Sequence, residues 1–475
     1  MNRTAYITEA LSERSLGNSD TYSKIPNPPN TNIILQNLKD ICNNQEWLSE
    51  YKMTNLYRDL ITDFTHNRVK PCRMYFLPKL HKPTFTFRPI CASINWITYW
   101  TSVYIHLSVF PLLVLIPSYI TNSAQVVTML DYIQPPKYFQ FVEADVDNLY
   151  PSINIDDGLD ALHTFLCQRS KFPKERIAFI VNLTKWVLTN NYVTFYNDFF
   201  LQISGTAMGT PCAVVFACIY MHIIEQEALN IFASQRYIHS CVILFIRFID
   251  DILAIFTDYT SAFEFMQLLN SRRKSIKLTF KIRNMESQFL DLTLYKDSHE
   301  SQTIQVKAYS KPMNKFLFLP PTSCHPRHIF PGWILGYGKR LRLNCTADTE
   351  YKKCLDEFQT RLLDRGYNQH LITSTFNKIP DRDNIISSIR INSKSNSHRV
   401  NTKSIGIPFV VTYTPEIQQA IPLISKALAF TEEAHLDPHF PLIFGTRTSP
   451  MLSFKRGPNL RDIVAPSTIS SPISQ

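Results

Sequence analysis

Residues 241–256 read Cys-Val-Ile-Leu-Phe-Ile-Arg-Phe-Ile-Asp-Asp-Ile-Leu-Ala-Ile-Phe, and the fold turns on them. Two apolar runs, 242–248 and 252–256, flank Asp250 and Asp251. The pattern predicts a hairpin with acids at its tip. Carboxylates between such strands are expensive unless hydrated, paired or bound to metal. An isolated Asp-Asp is also ordinary surface-turn chemistry, so the pair alone decides nothing.

Asp145 changes that balance. Residues 138–146 (Tyr-Phe-Gln-Phe-Val-Glu-Ala-Asp-Val) read as a strand with Asp145 near its end. A strand-end carboxylate beside a hairpin-tip pair can hold two divalent ions, as two-metal phosphoryl transfer requires. Hard cations such as Mg²⁺ prefer oxygen ligands, and substrate phosphates complete the shell. Asp147 shares a strand face with Asp145 by alternation, but a solvated acid fits it equally.

Two further elements surround the acids. Glycine is scarce, 11 residues of 475, about 2% against a usual ~7%. Two of them, Gly205 and Gly209, fall in Gln202-Ile-Ser-Gly-Thr-Ala-Met-Gly-Thr-Pro211, which leads into a helical pattern. Such a loop allows close backbone approach and offers free N–H groups. Upstream, Leu77-Pro-Lys-Leu-His-Lys-Pro83 and Phe87-Arg-Pro89 set Lys79, Lys82 and Arg88 within ten residues, a density suited to a triphosphate or a template backbone. Alone, each would pass for a turn or a solvated basic loop.

Around these elements the periodicity predicts helices over 31–66, then a Pro-rich basic stretch at 70–90 and a buried helical region over 91–131. A helix capped by Asp156 or Asp157 should run to about Ser170. Further helices are expected over 175–189, 213–228 and 260–270, with strands at 192–201, 276–283 and 288–296. This mixed order argues α+β. Beyond 310 the pattern is helical and basic. Residues 391–405 read as a loop, and the Ser/Pro-rich tail from 466 as disordered.

Composition bounds the rest. The chain is 45% apolar and 19% charged, which excludes a largely disordered protein. Its net charge of +10 leans toward a polyanionic partner. The ten cysteines include no Cys-x-x-Cys pair and read as reduced thiols. Cys324, His325 and His328 make a weak zinc set, with adjacent ligands and no fourth partner. The polar first twenty residues do not resemble a signal peptide. No formal charge falls between Arg88 and Asp131. The centre of that stretch, 96–120, is apolar enough to suggest a membrane span. Pro111, Pro117 and His106 argue instead for buried helices, and no membrane partner is expected.

Taken in order, these elements resemble the right-hand polymerases, specifically the reverse transcriptases of Penelope-like retroelements, relatives of telomerase. Residues 77–83 and Arg88-Pro-Ile90 are similar to that family's fingers motif. Asp145-Val-Asp-Asn-Leu-Tyr-Pro-Ser-Ile153 resembles its first palm motif, 202–211 its second, and Arg247-Phe-Ile-Asp-Asp251 its catalytic hairpin. Phe289-Leu-Asp-Leu292 resembles the primer-grip strand. Ser323-Cys-His-Pro326 and 454–462 resemble segments of the thumb and beyond.

The resemblance implies an α+β right hand. The expected layout is an N-terminal helical extension (1–66), fingers (67–141), a palm with an antiparallel sheet and helices on one face (142–300), a helical thumb (301–390) and a C-terminal extension (391–475). It implies an RNA-directed DNA polymerase with Asp145, Asp250 and Asp251 catalytic. Asp145, Val146, Asp250 and Asp251 would hold Mg²⁺ or Mn²⁺. Lys79, Lys82, Arg88, Tyr150, Gln202, Gly205, Met208 and Gly209 would bind the nucleotide, with Tyr150 beneath the sugar. Lys277 or Lys281 would protonate pyrophosphate.

Partners would be an RNA template, a DNA primer and dNTP, in an intracellular, nuclear setting. Phe248 stands where many reverse transcriptases carry Tyr, a position that is not a ligand. The family's GIY-YIG endonuclease is missing, which implies an endonuclease-less branch or a truncated copy, served by a separate endonuclease. The competing expectation is a retired polymerase that only binds RNA or DNA.

Overall fold

A computed structural model of the chain describes residues 3–13, 15–43, 55–78, 87–235, 241–298, 302–323, 325–395, 407–414, 417, 420, 422–423 and 450–456. Lys79, Lys82, Cys324 and the tail from 466 lie outside the described residues. The chain divides into two compact units, 1–305 and 306–475.

The first unit is mixed α+β. Its strands are β1 (Tyr22–Ile25), β2 (Cys72–Pro78), β3 (Phe87–Ala92), β4 (Gln140–Val146), β5 (Tyr192–Phe195), β6 (Asp198–Gln202), β7 (Val242–Phe248), β8 (Asp251–Phe256), β9 (Leu278–Arg283), β10 (Glu286–Phe289) and β11 (Leu292–Tyr295). One sheet runs β7-β8-β4-β9, antiparallel throughout. A second runs β1-β6-β5-β2-β3, antiparallel except where β2 meets β5.

Alternation along β4 explains the layering. Val142, Ala144 and Val146 join Ile252, Ala254 and Phe256 in a core shared with helices Ile155–Arg169, Ala213–Gln235 and Tyr259–Ser271. Glu143 takes the other face, where its Oε1 accepts the Gln288 N–H of β10 at 2.7 Å. Lys296, just past β11, is buried there. Its Nζ donates to the Phe139 carbonyl at 2.6 Å and lies 3.7 Å from the centroid of the Phe139 ring. Burial holds its pKa below the usual lysine value.

Several expectations are corrected. The helices expected in 91–131 are present but not all buried, with Leu107 and Val114 exposed. The region holds helix Tyr99–Val109, a 3-10 turn Phe110–Leu115 with proline in its first turn, and helix Ser123–Leu130. Pro111 removes a donor and Pro117 blocks continuation. Among the described residues, the helix long and apolar enough to cross a membrane is Ala213–Gln235, 23 residues. It is a core helix, with 61% of its most apolar window buried and Phe216, Ile219, Ile224 and Phe232 in the main core.

The helix start expected at Asp156 or Asp157 is capped by Asn154, whose Oδ1 accepts the Asp157 N–H at 3.1 Å. The strand expected at 288–296 is the hairpin β10–β11, turning at Leu290 with φ 55°. Asp291 therefore lies in a turn. Of the loop expected over 391–405, residues 391–395 belong to helix Arg382–Ser395, and 396–405 lie outside the described residues.

The second unit is helical through Ile329–Leu343, Asp348–Asp364, Gln369–Phe376 and Arg382–Ser395. Phe330, Ile334, Phe358, Leu362 and Ile372 form its core. Phe318 packs on Trp333, Tyr337 and Phe358 with ring centroids 5.3 Å away, an aromatic cluster that supplies much buried area. Ile407–Tyr413 and Pro450–Arg456 pair in parallel.

Candidate active site

The site is built at the ends of β4 and β8. Asp145 is directly opposite Asp251 in the β4–β8 register, so both side chains leave the same face. The Val146 N–H donates to the Asp250 carbonyl at 3.0 Å, which ties the hairpin tip to the strand carrying Asp145. Opposed residues on such a pair have Cβ atoms about 5 Å apart, and like charges there repel. Two carboxylates in this register carry a cost that a cation relieves.

Asp147 lies past the end of β4. Its N–H donates to the Lys277 carbonyl at 2.8 Å, and its Oδ2 accepts the Thr279 hydroxyl at 3.1 Å. It fastens β4 to β9. Lys277 is thereby placed at the carboxylate end of the sheet, while Lys281 sits opposite Glu143, further along β9.

The chain then turns through Asn148, at φ 48°, into the short helix Leu149–Ser152. Tyr150 is half-buried there. Its phenol is pushed well above the usual tyrosine value, first by burial, then by Cys218 and Asp250, with Arg88 opposing. The hydroxyl stays protonated, and it feels Asp250 and Arg88 together. Arg88 itself is exposed on β3.

The glycine loop fastens these parts. Gly205 has φ 72°, and a Cβ there would lie 2.2 Å from the Tyr150 carbonyl oxygen. The next residue, Thr206, donates its N–H to that carbonyl at 2.9 Å. At the other end, a Cβ on Gly209 would lie 2.0 Å from the Cys91 carbonyl oxygen. Cys91 N–H donates to Met208 at 2.8 Å, and Ser93 Oγ donates to Gly209 at 2.7 Å. The loop thus joins the Tyr150 turn to the end of β3, whose other end carries Arg88.

Gln202 is buried, with 2% exposure. Its Oε1 accepts from Asn191 Nδ2 and its Nε2 donates to the Ser204 carbonyl, both at 2.8 Å. This side chain shapes the loop, and with Met208, Cys91, Met74 and Pro151 it borders a small cavity.

One residue of the hairpin motif, beside the acids, was given no role by the sequence reading. Arg247 is completely buried. Its guanidinium pairs with Glu225 of helix Ala213–Gln235. It also donates to the Ile249 carbonyl at 2.9 Å and the Cys218 carbonyl at 3.1 Å. Ser118 Oγ donates to Glu225 Oε2 at 2.6 Å. Burial alone would lower the Arg247 pKa, but Glu225 and Cys218 outweigh it, and the guanidinium stays charged. The backbone of Arg247 is held as well: its N–H donates to Ser118 and its carbonyl accepts from Ile120. Charged residues inside two apolar runs, Arg247 and Glu225, were the available signal.

Among the described residues no group of three or more His, Cys, Asp or Glu side chains gathers as a metal site. His325, a member of the weak zinc set, has its Nδ1 2.8 Å from the Ser323 hydroxyl. The described cysteines form no disulfide.

Comparison with known proteins gives three findings. Residues 317–377 match the family model described as animal helix-turn-helix domain. They span the first three helices of the second unit. No curated protein matches the chain. Solved structures that it resembles include telomerase from Candida albicans in complex with a fragment of telomeric RNA, at 11% identity, 73% of this chain, 70% of that one and TM-score 0.45. A C-terminally truncated apo telomerase from Candida tropicalis is 13% identical over 53% of this chain and 59% of that one, TM-score 0.39. The RNA-dependent RNA polymerase of a human picobirnavirus is 12% identical over 69% and 66%, TM-score 0.45. The chain thus spans under two thirds of the truncated Candida tropicalis telomerase.

Proposed function

We propose that this chain is an RNA-directed DNA polymerase of the Penelope-like retroelement kind. One observation carries the reading: Asp145 faces Asp251 across β4 and β8, with Asp250 tied to Val146. In this reading the four-stranded sheet is the palm, the five-stranded sheet belongs to the fingers, and the helices after 329 form the thumb. Template RNA, primer DNA and dNTP are the substrates, and the setting is nuclear.

Mg²⁺ or Mn²⁺ would be held by Asp145 and Asp251, opposed across β4 and β8, with Asp250 and the Val146 backbone at the hairpin tip. The three carboxylates do not gather as a set, and their hard oxygens fall short of a full shell. Mg²⁺ uses such partial sets where substrate phosphates complete its octahedron. Bound there, it would activate the primer 3′-hydroxyl and steady the leaving group.

The protein's own residues do the rest. Arg88, with Lys79 and Lys82, binds the triphosphate. Tyr150, a neutral phenol that feels both Asp250 and Arg88, lies under the sugar, where its ring excludes a 2′-hydroxyl. Gly205 and Gly209 keep the loop thin enough for Met208 to approach the templating pair. Lys277, nearer the carboxylates than Lys281, is the better donor to departing pyrophosphate.

The test is extension of oligo(dT) on poly(rA) with labelled dTTP and Mg²⁺ or Mn²⁺. Incorporation by the wild type, lost in Asp250→Asn, supports the reading. Template binding without incorporation by either replaces it with a retired polymerase that only binds nucleic acid.

A further inference from the structure

The turn that presents the two acids is strained. Ile249, immediately before Asp250, has φ 57°. The left-handed region is rare for any side chain, and a β-branched residue there is an outlier. Such conformations persist only where the surroundings over-determine them. Here the over-determining contact is the Arg247 guanidinium, which donates to the Ile249 carbonyl at 2.9 Å.

The guanidinium is itself fixed from two segments. Glu225 pairs with it from the core helix, Cys218 accepts from it two turns earlier on the same helix, and Ser118 orients Glu225 from the segment after the 3-10 turn. A fully buried ion pair is weak evidence for stability, because desolvation offsets most of its attraction. Its geometry is better explained by what it holds.

We propose that Arg247, Glu225 and Ser118 are positioning residues that lock Ile249 in the left-handed conformation and so aim Asp250 and Asp251 toward Asp145. This rests on the metal-dependent reading of the site given above. A lysine at 247 keeps the charge opposite Glu225 but lacks the fork that also reaches Ile249. Glycine at 249 adopts positive φ without steric cost, so it makes the lock unnecessary.

The test uses the full chain and Mn²⁺ alone, titrated by electron paramagnetic resonance, with a thermal melt of each variant. Arg247→Lys, and the apolar replacement Arg247→Met with Glu225→Leu, should each bind Mn²⁺ about tenfold more weakly. Adding Ile249→Gly to either should restore the affinity to within about twofold of the wild type. Wild-type affinity in the folded variants overturns the proposal. So does weak binding that Ile249→Gly fails to restore, or unfolding that it fails to reverse, since both assign the network to bulk stability. Failure of the wild type itself to bind Mn²⁺ overturns the functional reading and this proposal together. If the wild type binds and extends a primer while the variants match it, only the positioning role falls.

Discussion

Glu225 and Glu227 stand two residues apart on one helix, and each meets an arginine from a distant segment. Glu227 and Arg273 make the better-formed pair, two parallel bonds of 2.6 and 2.7 Å. Their side chains are 38% and 26% exposed. Glu225 and Arg247 are 2% and 0% exposed and share their bonds with Ser118, Cys218 and Ile249. Hydrogen-bond geometry ranks the pairs one way and burial the other. Water competes for the first pair and screens it. Nothing replaces a lost partner in the second. The buried pair therefore acts on the site next to it, while the exposed pair pins the helix to the chain before β9.

The sharpest way to break this contrast is Glu225→Ala, which leaves a buried guanidinium unpaired. It should cost about 3–5 kcal/mol of stability, read from urea unfolding. A loss no larger than that of Glu227→Ala would erase the distinction.

Gly205→Ala tests the site's other rigid contact, one made by shape alone. The φ of 72° and the 2.2 Å approach to Tyr150 combine backbone strain with a backbone clash. The expected cost is roughly 2–4 kcal/mol, with loss of primer extension. A Gly205→Ala chain that melts like the wild type would show that the loop is free to move away.

His222, one turn from Glu225, extends the contrast to pH. It is buried beside Phe165, and its pKa is lowered to about 4, first by burial, then by Arg169 and Arg247 against the pull of Glu225. The folded chain binds the proton less well than the unfolded chain, whose histidine titrates near 6.5. Stability should be full above about 6.5 and decline as pH falls from there toward 4. His222→Leu should flatten that part of the pH–stability profile. An unchanged slope would move the effect to other groups.

The smallest effect belongs to Glu227→Ala, under about 1 kcal/mol and shrinking further in high salt. A larger, salt-insensitive loss would mean that the exposed pair is as isolated from water as the buried one.

The two apolar strands around Asp250 and Asp251 were legible in sequence because strand alternation and a polar tip are local signals. So was the strand leading to Asp145, and so was the glycine loop, which stands out in a glycine-poor chain. The Ser118–Glu225–Arg247 contact was not legible. It joins residues more than a hundred positions apart, and no periodicity encodes which helix will pass beneath which strand. The apolar stretch 91–131 was legible as helices, but not in which of its side chains are buried, for a related reason. Uniform apolarity carries no period, so proline alone marked where its helices stop. The helix start at Asn154 was displaced by two or three residues because Asn and Asp cap with the same chemistry.

The buried pair also keys the strand pairing itself. Side chains alternate along β7, so a slip of one residue against β8 would turn Arg247 outward and bring Phe248 over Glu225. The carboxylate would then be sealed against a phenyl ring with no cation to answer it. Slipped β7–β8 hairpins are therefore penalised during folding, and the register that sets Phe248 opposite Asp251 is the one that the ion pair accepts.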